Sequence, residues 1–380
     1  MNKKLSRRDF LKLAGLGLGA LAFKDVKLFR LEQLSIPKQL AEFPNSEIIG
    51  RVVDPGVKLR SRPTNAGNTE IRDLAADTLF EWQREVVGEV IGGLNNQRYV
   101  ETPEGYVYGS VLQPTRNLPN TPITEIPAGK NGFWAEVTVP YVDLAHEGNM
   151  VSPWLRDHIA WNFPPRLYYG QAVWMDRIRT SNGFIEYRWN EDANGRGYGY
   201  GGSYGEFYWG DGRGFKVLTD ADVAMINPDV DPAEKTMLLN LDHQTLACYE
   251  GKREVYFCRV STGKLYDAFG QPTDTYLTPP GTLLTHWKII SKNMTAGSEA
   301  SGYSTPAVPW CVYIQGGIAI HGSHWHNAYG GPRSHGCVNA LPEDAKWIFR
   351  WSHPFVSLDA GEERRNLPLH GTIVKSVKTA

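Results

Sequence analysis

Cysteine is scarce in this chain. Four in 380 residues, Cys248, Cys258, Cys311 and Cys337, are too few to staple a protein of this size, and a disulfide framework is excluded. Charge of one sign is missing as well. Forty Lys and Arg stand against 41 Asp and Glu, so no basic field argues for nucleic acid as a partner. Beyond the N-terminus no apolar run approaches the roughly 20 residues that a membrane-spanning helix needs. Long Ala/Leu/Glu/Lys stretches are rare too. Glycine (39), proline (24) and aromatics (12%) are plentiful instead, which predicts a mainly β protein of short strands and tight turns. With 41% hydrophobic and 21% charged residues the chain has enough apolar surface to bury cores, and its length predicts two or three units.

The first 22 residues read as an address. Lys3, Lys4, Arg7 and Arg8 precede an apolar run from Leu11 to Ala22, and Ala20-Leu21-Ala22 supplies a small-x-small cleavage pattern. Within it, Ser6-Arg7-Arg8-Asp9-Phe10-Leu11-Lys12 resembles a twin-arginine export signal. The resemblance implies export to the periplasm or cell wall, with membrane association only through an uncleaved signal.

Residues 23–46 read as a linker. Residues 47–116 alternate short β-rich runs with turns. Gly50-Arg51-Val52-Val53, Leu59-Arg60-Ser61-Arg62-Pro63 and Gly105-Tyr106-Val107-Tyr108 follow an order that resembles a bacterial SH3-like domain. Residues 130–232 have the same texture and are read as a second β module, for which an SH3-like form is one option. Its Gly/Tyr-rich stretch from Gly195 to Gly205 has two readings, a surface that stacks on sugar rings or a loop folded back over a β core. Asn227-Pro228-Asp229-Val230-Asp231-Pro232 marks a boundary, and 234–378 is the last domain.

In that domain three strands are expected around Met237–Asp242, Thr245–Tyr249 and Glu254–Val260. A symmetric two-residue turn at Gly251-Lys252 would pair Cys248 with Val255, which disfavours a Cys248–Cys258 bridge. Cys248, Cys258 and Cys311 read as small buried hydrophobes. Val308–Ile314 and Ile318–Ile320 predict a hairpin across Gly316-Gly317. Pro342-Glu343-Asp344 opens a helix, with proline in the first turn and acids at its positive end.

Cys337 differs in its neighbours. His321, His324, His326 and His335 precede it within one stretch, and Gly336 stands beside it. An ordinary thiol is only partly ionised at neutral pH, and a nearby imidazole is expected to bring it into the working range. Gly336 lets the backbone approach a substrate, and His321 at the end of a buried strand offers a rigid base. His324 and His326 are expected as solvated loop residues, yet either is an alternative base.

The segment 236–376 resembles the L,D-transpeptidase catalytic domain of the YkuD family. The resemblance rests on His321-Gly322 at a strand end, a loop, and Ser334-His335-Gly336-Cys337-Val338-Asn339, with Ser261-Thr262-Gly263 and Thr278-Pro279-Pro280-Gly281 earlier in family order. It implies a β-sandwich-like fold with the site under a flap from an earlier hairpin. Cys337 is then the nucleophile and His321 the base, with the carbonyl of Gly322 or Ser323 orienting the ring. His335 and Gly336 shape the oxyanion site with the Cys337 amide, and Ser334, Arg333 and Asn339 meet the substrate. The implied partners are peptidoglycan stem peptides as donor and acceptor, and carbapenem-type inhibitors. No metal or organic cofactor is implied.

Three rival functions stand beside this one. The histidines with Cys337 include possible zinc ligands, but no known zinc spacing such as H-E-x-x-H occurs, and no carboxylate falls between residues 321 and 337. A wall-binding protein with a degenerate catalytic domain is argued against by the intact Cys337 and His321. An L,D-carboxypeptidase, with water resolving the thioester, stays open.

Overall fold

The computed structural model describes residues 34–90, 96–148, 152–191, 206–266, 271–296, 303–364 and 371–379. The export signal, the first part of the linker and the Gly/Tyr-rich run lie outside them. Among the described residues no helix is long and apolar enough to cross a membrane. The chain is mainly β, in three successive groups of strands.

The first group comprises β1 (Ile49–Val52), β2 (Val57–Arg60), β3 (Glu70–Leu74), β4 (Leu79–Glu81), β5 (Arg84–Val87), β6 (Arg98–Thr102), β7 (Gly105–Tyr108) and β8 (Leu112–Thr115). They form a three-stranded sheet, β4-β1-β8, and a five-stranded sheet, β3-β2-β7-β6-β5. Val52, Leu59, Leu74, Phe80, Val100, Val107 and Leu112 fill a small core of their own.

The second group comprises β9 (Phe133–Val137), β10 (Tyr141–Glu147), α1 (Pro153–Ala160), β11 (Arg166–Tyr168), β12 (Ala172–Ser181), β13 (Phe184–Asn190), β14 (Phe207–Asp211), β15 (Phe215–Val217) and α2 (Asp220–Val223). Its strands form one seven-stranded sheet, β11-β10-β14-β13-β12-β9-β15. Helix α1 starts where Ser152 accepts the Leu155 N–H at 3.1 Å and Pro153 follows, an N-cap and first-turn proline in the expected places.

The third group comprises β16 (Lys235–Asn240), β17 (Thr245–Glu250), β18 (Arg253–Arg259), β19 (Gly281–Leu284), β20 (Trp287–Ala296), β21 (Tyr303–Gln315), β22 (Ile318–Gly322), β23 (Val338–Ala340), α3 (Pro342–Trp351), β24 (Glu362–Arg364) and β25 (Ile373–Val377). Two five-stranded sheets result, β18-β17-β16-β25-β19 and β23-β22-β21-β20-β24. Met237, Leu246, Cys248, Ile290, Trp310, Val312, Ile320 and Val374 meet in one core together with the buried face of α3. That core also takes in Trp134, Ala172, Leu218 and Val223, so the second and third groups share a continuous interior.

The hairpin between β17 and β18 departs from the expected register. Cys248 lies opposite Tyr256 rather than Val255, because a bulge between Cys248 and Tyr249 inserts one extra residue. All four cysteines are free, and Cys248, Cys258 and Cys311 are buried.

The β20–β24 sheet has two differently used faces, since alternate residues point to opposite sides. Ile290 and Val312 face α3. Ile289, Cys311, Tyr313 and Ala319 face the other way, with Trp325 and Cys337 packed against them. On the α3 side Lys288 is 1% exposed, and its ammonium donates to the carbonyls of Ser352 and Pro354, each at 2.7 Å. Lys235 donates to the Trp351 carbonyl at 3.2 Å. The two amines satisfy carbonyls at and just beyond the helix C-terminus, and burial pulls both lysines below their ordinary range. Replacing Lys288 by Met leaves two buried carbonyls without a donor. Lys288→Met should lower the unfolding free energy by about 2–4 kcal/mol in denaturant titration, and leave Cys337 reactivity unchanged because the site is on the opposite face.

Candidate active site

Parallel pairing of β22 with β23 sets Ile320 opposite Val338 and His321 opposite Asn339. Cys337 immediately precedes β23. With a side-chain period of two, His321 and Cys337 share the face that carries Ala319 and Cys311. Both line a cleft of about 590 Å³, with Ser334, His335 and Asn339 nearby. Met294, Thr305 and Val308 of the β20–β21 hairpin line another wall, as a flap from an earlier hairpin would; the hairpin tip, residues 297–302, is outside the described residues.

The cysteine loop is held by the two upstream motifs. Ser261 and Asn339 exchange backbone hydrogen bonds at 2.9 and 2.8 Å, and the Thr262 carbonyl accepts from Arg333 and Ser334 at 2.8 and 2.9 Å. Gly263 N–H donates to Thr278 Oγ1 at 2.9 Å, and that hydroxyl donates to the Gly336 carbonyl at 2.8 Å. A Cβ on Gly263 would stand 1.6 Å from the Tyr276 carbonyl oxygen, so only glycine permits this approach. Gly336 has φ +119 with no heavy atom closer than 3.7 Å to a built Cβ; its requirement for glycine is backbone conformation, not space. The Ser334 hydroxyl donates to the Cys337 carbonyl and accepts the Gly336 N–H at 3.0 Å. That amide, expected at the oxyanion site, is therefore already committed within the turn. His335 is exposed and meets Tyr276 edge-on at 4.7 Å.

His321 is 2% exposed, and its Nδ1 lies 3.0 Å from the carbonyl oxygen of Gly322, one of the two expected to orient it. A carbonyl only accepts, so Nδ1 carries the proton and Nε2 keeps the lone pair. Burial pulls the imidazole down to about 4, with the Gly322 hydrogen bond opposing. Burial also pushes the Cys337 thiol up, against a smaller lowering by the Ala319 backbone. This reverses the expectation that a neighbouring imidazole depresses the thiol: desolvation dominates, and the resting pair is neutral thiol and neutral imidazole.

The other histidines are not the solvated loop residues expected. His326 is 1% exposed; its Nδ1 accepts the Ala328 N–H at 3.2 Å and its Nε2 sits 2.9 Å from the Asn339 amide, so both ring nitrogens are engaged. His324 is buried and stacked on Tyr168, ring centres 5.1 Å apart. Asn339 lines the cleft with its amide engaged by His326, whereas Ser323 faces inward: Ser323 Oγ is 2.7 Å from the Tyr329 hydroxyl, and Gly322 is wedged against Pro309 and Pro342. Arg333 is exposed at the cleft, 3.9 Å from the Asp54 carboxylate. Among the described residues no three His, Cys, Asp or Glu side chains converge as a metal site would require.

Residues 234–374 match the model of the YkuD family, described as the L,D-transpeptidase catalytic domain. This segment is a YkuD catalytic domain. Among solved structures the chain is similar to a cysteine-to-serine variant of the Enterococcus faecium L,D-transpeptidase (22% identity over 38% of this chain and 50% of that one, TM-score 0.28). It is also similar to the L,D-transpeptidase from Mycobacterium smegmatis (16% identity over 54% and 98%, TM-score 0.30). A third is the catalytic domain of the Enterococcus faecium enzyme acylated by ertapenem (22% identity over 38% and 97%, TM-score 0.28). The chain thus spans about half the length of the first of these. No curated protein matches it.

Sequence reasoning missed the residues from outside this domain. Arg51, Asp54 and Asp77 of the first group and Trp154, Arg166 and Tyr168 of the second also line the cleft. No local spacing signals them, because they reach the site only by packing of separate modules.

Two outcomes follow for the YkuD domain. If His321 takes the thiol proton, His321→Ala should slow alkylation of Cys337 on the order of 10²-fold at pH 7. The deficit should shrink as pH rises and the thiol ionises unaided, a trend that stopped-flow labelling across pH would read. The second outcome concerns stability. His321 and His353 are held to about 4 and His326 to about 3 in the fold, against 6.5 ordinarily, by burial. The unfolded chain therefore binds protons first as pH falls. Stability should be full above about pH 6.5 and decline steadily towards pH 4, with the unfolding midpoint falling in step. A midpoint flat from pH 6.5 to 4 would contradict the assigned burial.

Proposed function

We propose that the protein is an exported L,D-transpeptidase that forms 3→3 crosslinks in peptidoglycan, with Cys337 as nucleophile. The observation that supports this reading is that a half-buried thiol and a buried, oriented imidazole lie on one sheet face of a YkuD domain and line one cleft, large enough for a peptide. His321 Nε2 takes the thiol proton as Cys337 Sγ attacks the carbonyl of the third residue in a tetrapeptide stem. The proton passes to the departing amine, terminal D-Ala leaves, and a thioester remains. The amine of a second stem then attacks the thioester, Sγ leaves, and the proton returns to sulfur. Neutral resting groups suit both halves, since the imidazole is free to accept a proton across the neutral pH range. The Cys337 amide, beside His335, receives the oxyanion, and Arg333 meets stem carboxylates.

Export rests on the twin-arginine-like N-terminus, which directs the mature chain to the periplasm or wall. The strand order of the first module supports an SH3-like reading of residues 47–116.

The decisive experiment incubates the mature chain with disaccharide-tetrapeptide and identifies products by mass. A crosslinked dimer less one D-Ala is expected; disaccharide-tripeptide alone would make the protein an L,D-carboxypeptidase, and unchanged substrate would remove both. A carbapenem should add one ring-opened adduct, on Cys337 only. An adduct elsewhere, or none with Cys337 intact, counts against the nucleophile.

A further inference from the structure

The loop between His321 and Cys337 is anchored outside its own domain. The Arg51 guanidinium, from β1, is buried and donates through Nη2 to the His324 carbonyl at 2.5 Å. Its Nε and Nη2 also reach Gln113 Oε1 at 3.0 and 2.7 Å, and it lies 4.0 Å from the centre of the Tyr168 ring, on which His324 stacks. Asp77 holds Arg51 from behind. It has φ 61, a left-handed turn conformation that aims one carboxylate oxygen at Arg51 (2.5 Å) and the other at Arg166 of β11 (2.7 Å). Burial alone would raise the Asp77 carboxyl; the two guanidiniums hold it below its ordinary range. A second anchor lies three residues along. Asn327 donates its backbone N–H to Ser110 at 3.0 Å and its side-chain amide to Gly109 and Leu112 at 3.0 and 2.9 Å.

Between the two anchors sits Trp325. Its ring lies 5.8 Å from that of His321 and packs into the floor shared with Cys337. Movement of the 323–327 loop would thus be felt at the imidazole. The cost of building such a desolvated charge cluster is high, and a purely packing role would be met by apolar residues of similar volume.

We infer that the first β module acts as a positioning device for the active site, with Arg51 and Asn327 as positioning residues that fix Trp325 against His321. The inference rests on the reading of Cys337 and His321 as a working pair. It makes residues 47–116 part of the catalytic unit rather than a separable appendage. The Arg51 fork serves Gln113, His324 and Asp77 at once while its plane covers Tyr168, a set that the single ammonium of a lysine cannot reproduce.

The test uses the full mature chain and iodoacetamide, with a Cys337→Ala blank. The other three cysteines are at most 6% exposed, so labelling reports on Cys337. In the wild type the neutral pair should give a rate nearly flat between pH 6 and 8. Arg51→Gln and Asn327→Ala should each slow labelling on the order of tenfold at pH 7 and convert the flat profile to one rising with pH, as His321→Ala does. Arg51→Lys should fall between, and the double variant should be less than additive because both anchors act on one loop. A merely structural role would lower the melting temperature and leave the profile flat. Should Arg51→Gln not fold, Asn327→Ala carries the same test, since it leaves the ion pairs intact. Wild-type rate and a flat profile in folded Asn327→Ala, or in folded Arg51→Gln, overturn the inference. Imipenem acylation of the same samples separates the two readings. A wild-type chain that labels with a flat profile but is never acylated loses the proposed function while the positioning inference stands.

Discussion

The parallel pairing of β22 with β23 is the constraint on which the site depends. Most strand pairs among the described residues are antiparallel. Here two parallel strands are linked by a loop that must leave the end of one strand and return to the start of the next. That loop carries His324, Trp325, His326 and Asn327, and its return delivers Cys337 to the face on which His321 already lies. Slip the pairing by one residue and the thiol moves to the α3 side. Register is fixed from outside by Ser261, whose backbone closes a second ladder on Asn339, and by Thr278, which ties Gly263 to Gly336.

Burial then sets the electrostatics. The imidazole is held neutral by desolvation and oriented by a carbonyl, and the thiol is kept protonated by the same desolvation. A preformed thiolate–imidazolium pair would need solvent or nearby charge to support it, and the floor of the cleft, formed by Ile289, Cys311 and Ala319, supplies neither. The neutral forms of both groups are thereby favoured at rest. The same burial makes several histidines a liability in acid, because each must stay uncharged while the unfolded chain is free to protonate.

The three groups of strands are joined by two unlike materials. The second and third share an apolar core that includes Trp134 and Trp310. The first meets them through a polar knot at Asp77, whose two oxygens bridge guanidiniums from different modules. Apolar burial is non-directional, whereas this knot fixes direction and distance.

Much of the last domain was legible in the chain itself. The apolar alternation of β16, the apolar runs of β17 and β22, the Gly316-Gly317 hairpin and the Pro342 helix start are local signals, and local sterics enforce them. That His321 and Cys337 line one cleft was also readable, since few residues separate them and both sit beside strand-forming segments. The bulge at Cys248 was not legible, because a one-residue insertion depends on which neighbour packs against the strand. Nor was the direction of the Cys337 shift, which depends on how much water the folded cleft excludes. The burial of His324 and His326 escaped for the same reason: a polar loop looks solvated until another module covers it. Arg51 and His324 are 273 residues apart in sequence, and only folding of three modules against each other brings them together. The sequence by itself determined which candidate groups stand close together along the chain, because residue identity and short-range spacing are local properties. Their protonation states, and the hands that hold them in place, were decided by tertiary structure, because desolvation and long-range hydrogen bonding exist only once the chain has closed around them.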